Sequence, residues 1–331
     1  MEWFFFSLIC ILGWGLADLF YKKGTDSEDR FSHLKIAVWV GMVMGAVALV
    51  LLPFSETGFS LPGLLENAVR YSPASLAYIV SMVIGYAGLR YLEVSIVSPV
   101  QNASGAFSMI AMLIIFAVTG TVQDDLGDLS PLNLVGTVLI VLGVITLAIL
   151  ENLLARREAN ALAKTPGDRA AAKKAQFGAL ALLFPLLYCL FDTIGTAADG
   201  IILDEETGLG LGEIDVLILY GLTFLAAGIV CWVFLWIKNK KPYNPFEKAE
   251  LLNKGMAACF EEFGQVFYVF AMARKPVLAA PMVASYCIVS VLLSRIILKE
   301  NIGWKRYLCV GCVILGIVML GIAEGLGEIA E

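Results

Sequence analysis

Histidine is all but missing from this chain: His33 is the only one in 331 residues. A metal centre built on imidazoles, or a proton relay running through them, is therefore excluded. Charge is scarce as well. Asp, Glu, Lys and Arg make up 16% of the residues, where a soluble globular domain carries about a quarter. No segment is basic enough for a nucleic-acid footprint, and low-complexity tracts are absent. The seven cysteines all lie in apolar runs, where they read as small hydrophobes. Cys309 and Cys312 form a CxxC, but inside an apolar run with no second pair, so no metal, redox group or other cofactor is expected. Enzyme signatures are missing too: HExxH, GxSxG and the YD and GxGD pair of intramembrane aspartyl proteases do not occur. The chain is read as a non-enzyme.

What is present is apolar sequence. Hydrophobic residues reach 59%, and mean hydropathy is +0.83. They cluster in runs of about twenty, the length that spans a bilayer core as a helix. Ten spans are predicted, at 3–21, 33–53, 73–90, 95–119, 132–150, 177–199, 215–237, 253–273, 278–298 and 305–323. Pro53, Pro73, Pro131, Pro242 and Pro276 are expected at or near helix ends, where proline costs least. The start, MEWFFFSLIC, lacks a basic n-region and reads as a retained first span.

With ten spans, 20 of the 23 Lys and Arg fall on one side. Arg70, Arg274, Lys275 and the acidic stretches QDDLGD and LDEETGLGLGEID fall on the other. The positive-inside rule then places both termini outside and the central loop in the cytoplasm. That loop gives the domain boundaries: a first five-helix unit at 1–151, a solvated linker at 152–176, and a second five-helix unit at 177–331.

The two units look alike. LGWGLADLFYKKG aligns with LLYCLFDTIGTAA, which sets Asp18 opposite Asp192 and Trp14 opposite Tyr188. LRYLEVSIVSPVQNASG aligns with MARKPVLAAPMVASYC, which sets Pro99 opposite Pro281, 182 residues apart. An odd number of spans per unit makes the second unit inverted relative to the first. Inverted repeats mark secondary transporters, with the solute site near mid-membrane between them. The expected fold class is therefore an all-α membrane protein, ten transmembrane helices in two inverted five-helix repeats.

RYLEVSIVSPV, GWGLADLFYKKG and the tail LLSRIILKENIGWKRYLCVGCVILGIVML resemble the drug/metabolite transporter superfamily, specifically its EamA-type ten-helix permeases. The resemblance implies an alternating-access carrier of small metabolites, working in efflux, in a bacterial plasma membrane. Cys309 stands nine residues after Glu300, where that family usually has glycine. Relatives also commonly keep both termini in the cytoplasm, against the charge bias here.

Acids inside a membrane are costly and are functional by default. Asp192, Glu261 and Asp18 are the expected proton-coupling or cation-pairing groups, with an Asp18–Lys22 pair one turn apart. Glu261, Gln265 and Tyr268 form one polar stripe, and Glu262 continues only to Val266. Ser98, Gln101 and Asn102 follow the same logic around Pro99. Trp14 and Tyr188 join them as candidate cavity walls. Taken singly, though, Trp14, Tyr86, Tyr188, Tyr268 and Tyr286 read more readily as interfacial anchors. Gly41-xxx-Gly45 and Ser81-xxx-Gly85 read as helix contacts. The expected partners are a small-molecule solute, protons and the lipid bilayer, for a monomer or a homodimer. The solute is an amine or amino acid if the acids dominate, a sugar or nucleoside if the amides and aromatics do.

Overall fold

The structure, a computed structural model, describes residues 2–26, 28–56, 60–119, 130–163, 180–203, 211–299 and 303–330. Within them the chain is helical. The first half runs α1 (Glu2–Gly24), α2 (Ser32–Leu51), α3 (Leu61–Leu89), α4 (Val94–Asn102), α5 (Ser104–Thr119) and α6 (Pro131–Ala163). The second half runs α7 (Leu183–Ile202), α8 (Glu213–Asn239), α9 (Met256–Arg274), α10 (Pro276–Ala284), α11 (Cys287–Leu293) and α12 (Trp304–Ala330). A short turn, Lys248–Glu250, and a π-helical turn, Leu251–Gly255, lead into α9. Nine stretches of described helix are long and apolar enough to cross a membrane. The tenth, α9, misses that threshold because Glu261, Glu262 and Gln265 interrupt it. It is nonetheless heavily buried, against α1 above all.

Helix α3 begins twelve residues before the predicted start at 73. Ser60 caps it by accepting from the Gly63 N–H at 3.2 Å, and Pro62 fits the first turn. Pro73 therefore sits inside a helix rather than at its end. Proline leaves the carbonyl four residues back without its usual donor, and the Ser72 hydroxyl supplies one, reaching the Val69 oxygen at 2.7 Å. At the other end of the first half, α6 continues to Ala163, past the predicted span boundary at 150. The remainder of the linker, the QDDLGD stretch and Glu300 lie outside the described residues.

The fourth helix of each half is broken. The chain turns between α4 and α5 at Ala103, and between α10 and α11 at Ser285–Tyr286. Each break follows a nine-residue helix whose sixth residue is proline, Pro99 or Pro281. The two breaks repeat the 182-residue offset of the sequence alignment.

Helix pairing repeats in the same way. The closest pairs are α2 with α8, α1 with α9, α3 with α7, and α6 with α12, followed by α5 with α10. Exchanging the halves converts α1–α9 into α3–α7 and α5–α10 into α4–α11, which also pack together, and leaves α2–α8 and α6–α12 unchanged. The α2–α8 pair shows why such pairing is stable without a hydrophobic drive between helices in lipid. Gly41 meets Gly228 and the Phe224 carbonyl with no room for a side chain, so the backbones make the contact.

Ion pairs tie the helices together at both ends of the bundle. At one end Lys35 pairs with Asp29 at 2.8 Å and Glu250 at 3.3 Å, and Lys254 also pairs with Glu250. At the other end Arg274 pairs with Glu2 at 2.9 Å and Glu213 at 3.0 Å.

Candidate functional site

Between the halves lies a cleft with about 330 Å³ of empty space. Its walls come from both repeats. Helix α1 contributes Trp14, Asp18 and Tyr21; α3 contributes Tyr78, Met82, Gly85 and Tyr86; α4 contributes Gln101. The second half adds Tyr188 from α7, Glu261 from α9 and Tyr286 from the α10–α11 break. Room for the centre of a water molecule amounts to only about 20 Å³, roughly what a single water needs. The cleft is thus closed around its side chains, and a solute larger than water requires the walls to part.

Two carboxylates face this space, and among the described residues neither has a base for a partner. Asp18 accepts hydrogen bonds from the Ser98 hydroxyl at 2.5 Å and the Ser290 hydroxyl at 2.7 Å. Glu261 accepts one from Tyr21 and one from Tyr78, both at 2.9 Å. Tyr86 extends the chain by donating to the Tyr21 oxygen at 3.1 Å. The Trp14 indole donates to the Glu261 backbone carbonyl at 3.2 Å, which fixes α1 against α9. No Lys, Arg or His is among the lining residues. The expected Asp18–Lys22 pair does not form. Lys22 instead donates to the carbonyls of Leu89 and Leu92, both at 2.7 Å, where α3 ends and those oxygens lack helical donors.

Asp192 stands outside the cleft lining. It is half-buried on α7 and accepts from the Ser104 hydroxyl at 2.6 Å. The arrangement mirrors that of Asp18. Each aspartate sits on the first helix of its own half and takes a hydroxyl from the broken fourth helix of the other: Ser290 of α11 for Asp18, Ser104 of α5 for Asp192. Neighbouring Ser108, 182 residues before Ser290, donates to the Thr193 carbonyl at 3.3 Å.

One acid escaped the sequence reading. Asp199 is 1% exposed and accepts from three phenols: Tyr71 at 2.6 Å on Oδ1, with Tyr220 at 2.5 Å and Tyr268 at 2.9 Å on Oδ2. Four helices, α3, α7, α8 and α9, are tied at this point, on the Arg274 side of the cleft. Two signals pointed to it. Asp199 follows Asp192 by seven residues, two turns along the same helix face, and Tyr71 precedes Pro73 by two. With the third span started at 73 and the sixth ended at 199, both residues looked like span edges.

The remaining candidates are placed as follows. Ser98 and Gln101 are at the site, through Asp18 and the cleft wall. Asn102 turns back along α4, donating to the Ser98 carbonyl at 2.8 Å and the Ser98 hydroxyl at 3.3 Å. Gln265 is fully enclosed, and neither end of its amide has a partner. Glu262 is 8% exposed and does not line the cleft. The aromatic residues are not interfacial anchors: Trp14, Tyr86, Tyr188, Tyr268 and Tyr286 are all buried. Trp14 gathers Tyr268 and Tyr286, with ring centroids at 5.1 and 5.6 Å. Tyr78 touches Tyr220 at 5.6 Å, so the cages around Glu261 and Asp199 meet ring to ring. No group of three or more potential metal ligands occurs among the described residues.

Residues 207–322 match the model of the EamA-like transporter family, part of the drug/metabolite transporter superfamily. The match falls within the second half of an all-α membrane protein and covers about a third of the chain. A solved structure known simply as the crystal structure of a protein is similar to this chain over 98% of each, with a TM-score of 0.56 at 13% identity. That likeness concerns the fold alone. No curated protein matches the chain.

Proposed function

We propose that this protein is a secondary transporter that moves a small amine-bearing metabolite by alternating access, coupled to protons. The observation that carries the reading is the pair of carboxylates, Asp18 and Glu261, facing one closed cleft with hydroxyl partners only. Desolvating a carboxylate costs several kcal/mol. Two hydroxyl donors return about 1.5–3 kcal/mol each to an ionised group. What the cleft lacks is a positive charge, and either a proton or a solute ammonium supplies one. Trp14 and the surrounding tyrosines favour the same class, because aromatic faces attract cations.

Competition between the two occupants gives the coupling. The acids hold a proton when the solute is absent and release it when the ammonium arrives, so solute and proton cross in opposite directions. Asp192, within electrostatic range of Glu261, serves as the neighbouring proton station. The breaks at Ala103 and Ser285–Tyr286 are the points at which the fourth and ninth spans bend. The Asp199 cage closes the Arg274 side. The positive-inside rule assigns the Lys35 side to the cytoplasm and both termini to the outside. Efflux follows from the family resemblance.

The test is flux in liposomes holding the purified protein under a pH gradient, across a panel of amino acids and amines. Glu261→Gln is expected to lower gradient-driven uptake at least tenfold, with Asp192→Asn weakening the response to the gradient. Undiminished proton-driven flux in Glu261→Gln would remove the cleft acids from the mechanism.

A further inference from the structure

A second cavity lies on the outside of the bundle, and nothing in the transport reading uses it. It runs between α2 and α8 near the Lys35 end and holds about 880 Å³ of empty space. Room for water centres there is about 450 Å³, against about 20 Å³ in the central cleft. Its floor is a stripe on α8, Leu225, Gly228, Ile229 and Trp232, at the i, i+3, i+4, i+7 spacing of one helix face, with Val38 and Met42 opposite on α2. At Gly228 the groove adjoins the close backbone contact with Gly41.

The loop after α8 keeps the groove open. Lys240 ends the helix at φ 55°, and this left-handed residue turns the chain back over the helix it has just left. Pro242 and Pro245 stiffen the returning segment. The Trp232 indole pins it by donating to the Tyr243 carbonyl at 2.9 Å. Tyr243 in turn donates to Glu250 at 3.1 Å and lies beneath the Lys35 ammonium at 5.3 Å. Phe246 closes the lip while remaining 66% exposed.

Lys240 and Lys241, next in sequence to the Pro242 that lines the groove, are both exposed, whereas the Lys238 ammonium lies over the Phe234 ring at 5.6 Å. Glu247 is the only acid in the run from 238 to 247. The next, Glu250, is taken up by Lys35 and Lys254. An apolar slot of this size beside two lysines, opening sideways from two membrane-spanning helices, matches one kind of molecule. We infer that the α2–α8 groove binds an anionic phospholipid, its acyl chain against Leu225, Ile229 and Trp232 and its headgroup on Lys240 and Lys241. Basic pockets between transmembrane helices hold anionic headgroups, at about fivefold in affinity per lysine near the surface. The exposed flank of α8, with Ile229 54% and Val230 68% exposed, already faces the hydrocarbon from which such a lipid arrives.

The test is native mass spectrometry of the full chain released from nanodiscs of mixed phosphatidylglycerol and phosphatidylcholine. The wild-type protein should retain one phosphatidylglycerol through delipidation. Ile229→Trp fills the slot from α8 and Met42→Trp fills it from α2, so a folding failure in one leaves the other to report. Each should lose the retained lipid. The combined variant Lys240→Gln, Lys241→Gln should lose preference for phosphatidylglycerol over phosphatidylcholine by roughly 25-fold, and Lys238→Gln should leave it unchanged. Equal retention in a folded Trp variant, no retained lipid in the wild type, or a dimer whose mass disappears in the Trp variants would each overturn the assignment. Flux in liposomes is a separate readout, so this result and the carrier reading stand or fall independently.

Discussion

Replacing Tyr71 by Phe removes one hydroxyl from a site where the partners of Asp199 are unevenly shared. Among the described residues Tyr71 is the only donor to Oδ1, at 2.6 Å, while Tyr220 and Tyr268 both donate to Oδ2. Without Tyr71, Oδ1 has no partner on a residue that is 1% exposed. The loss is then a hydrogen bond to a charged group together with an unsatisfied buried acceptor, about 2–3 kcal/mol. Without Tyr268, Oδ2 keeps Tyr220, and the cost is that of one shared bond, about 1 kcal/mol. At roughly 2 °C per kcal/mol for a chain of this size, Tyr71→Phe should lower the thermal midpoint in detergent by about 4–6 °C. Tyr268→Phe should lower it by about 2 °C. A double-mutant cycle sharpens the comparison. In an Asp199→Asn background the Tyr71→Phe effect should shrink to below about 1 kcal/mol, because its partner is no longer a carboxylate. Tyr268→Phe proving as damaging as Tyr71→Phe, or full additivity with Asp199→Asn, would refute the uneven cage.

Two further predictions follow from other parts of the fold. At the α2–α8 contact, a Cβ at Gly41 would collide with the Phe224 carbonyl oxygen and stand 2.9 Å from the Gly228 Cα. Gly41→Ala should therefore cost about 1–3 kcal/mol as an overpacked contact, read as a lower midpoint and a broadened elution profile; an unchanged midpoint would show that the helices part freely. At the Lys35 end, burial alone would push the Asp29 carboxyl up, but hydrogen bonding and charge from Lys35, with a bond from the Phe31 N–H, hold it below the usual carboxylate range. Burial likewise works against Glu250, and Lys254 and Lys35 hold it low. Both groups are depressed in the folded state, so their stabilisation is complete above the unfolded values near pH 4 and disappears as pH falls through the lower folded ones. Thermal scans from pH 6 down to pH 3 should show this loss in wild type and a smaller one in Lys35→Met.

Much of the architecture was legible because a bilayer reduces the choices. Runs of about twenty apolar residues have one outcome in hydrocarbon, a spanning helix, and every predicted span overlaps a described helix. The errors fall where local rules compete. Pro73 looked like a boundary because proline usually ends helices; Ser72 replaces the missing donor, and α3 runs through. Lys22 looked like the partner of Asp18 because they are one turn apart. The unpaired carbonyls of Leu89 and Leu92, distant in sequence, bind the ammonium instead.

The sequence by itself determined the helices and the likeness of the two halves. These are properties of single segments and of their likeness to one another, carried by composition, spacing and the 182-residue offset. Tertiary structure alone decided which polar groups meet. Tyr21 and Tyr78 reach Glu261 across 240 and 183 residues, and Tyr71 reaches Asp199 across 128. No local spacing encodes such partners. They are set by which faces of α1, α3 and α9 turn towards one another once small residues have let the helices close. The same contacts drew Asp18 into the cleft, left Asp192 just outside it and raised Asp199 from a span edge to a four-helix clamp.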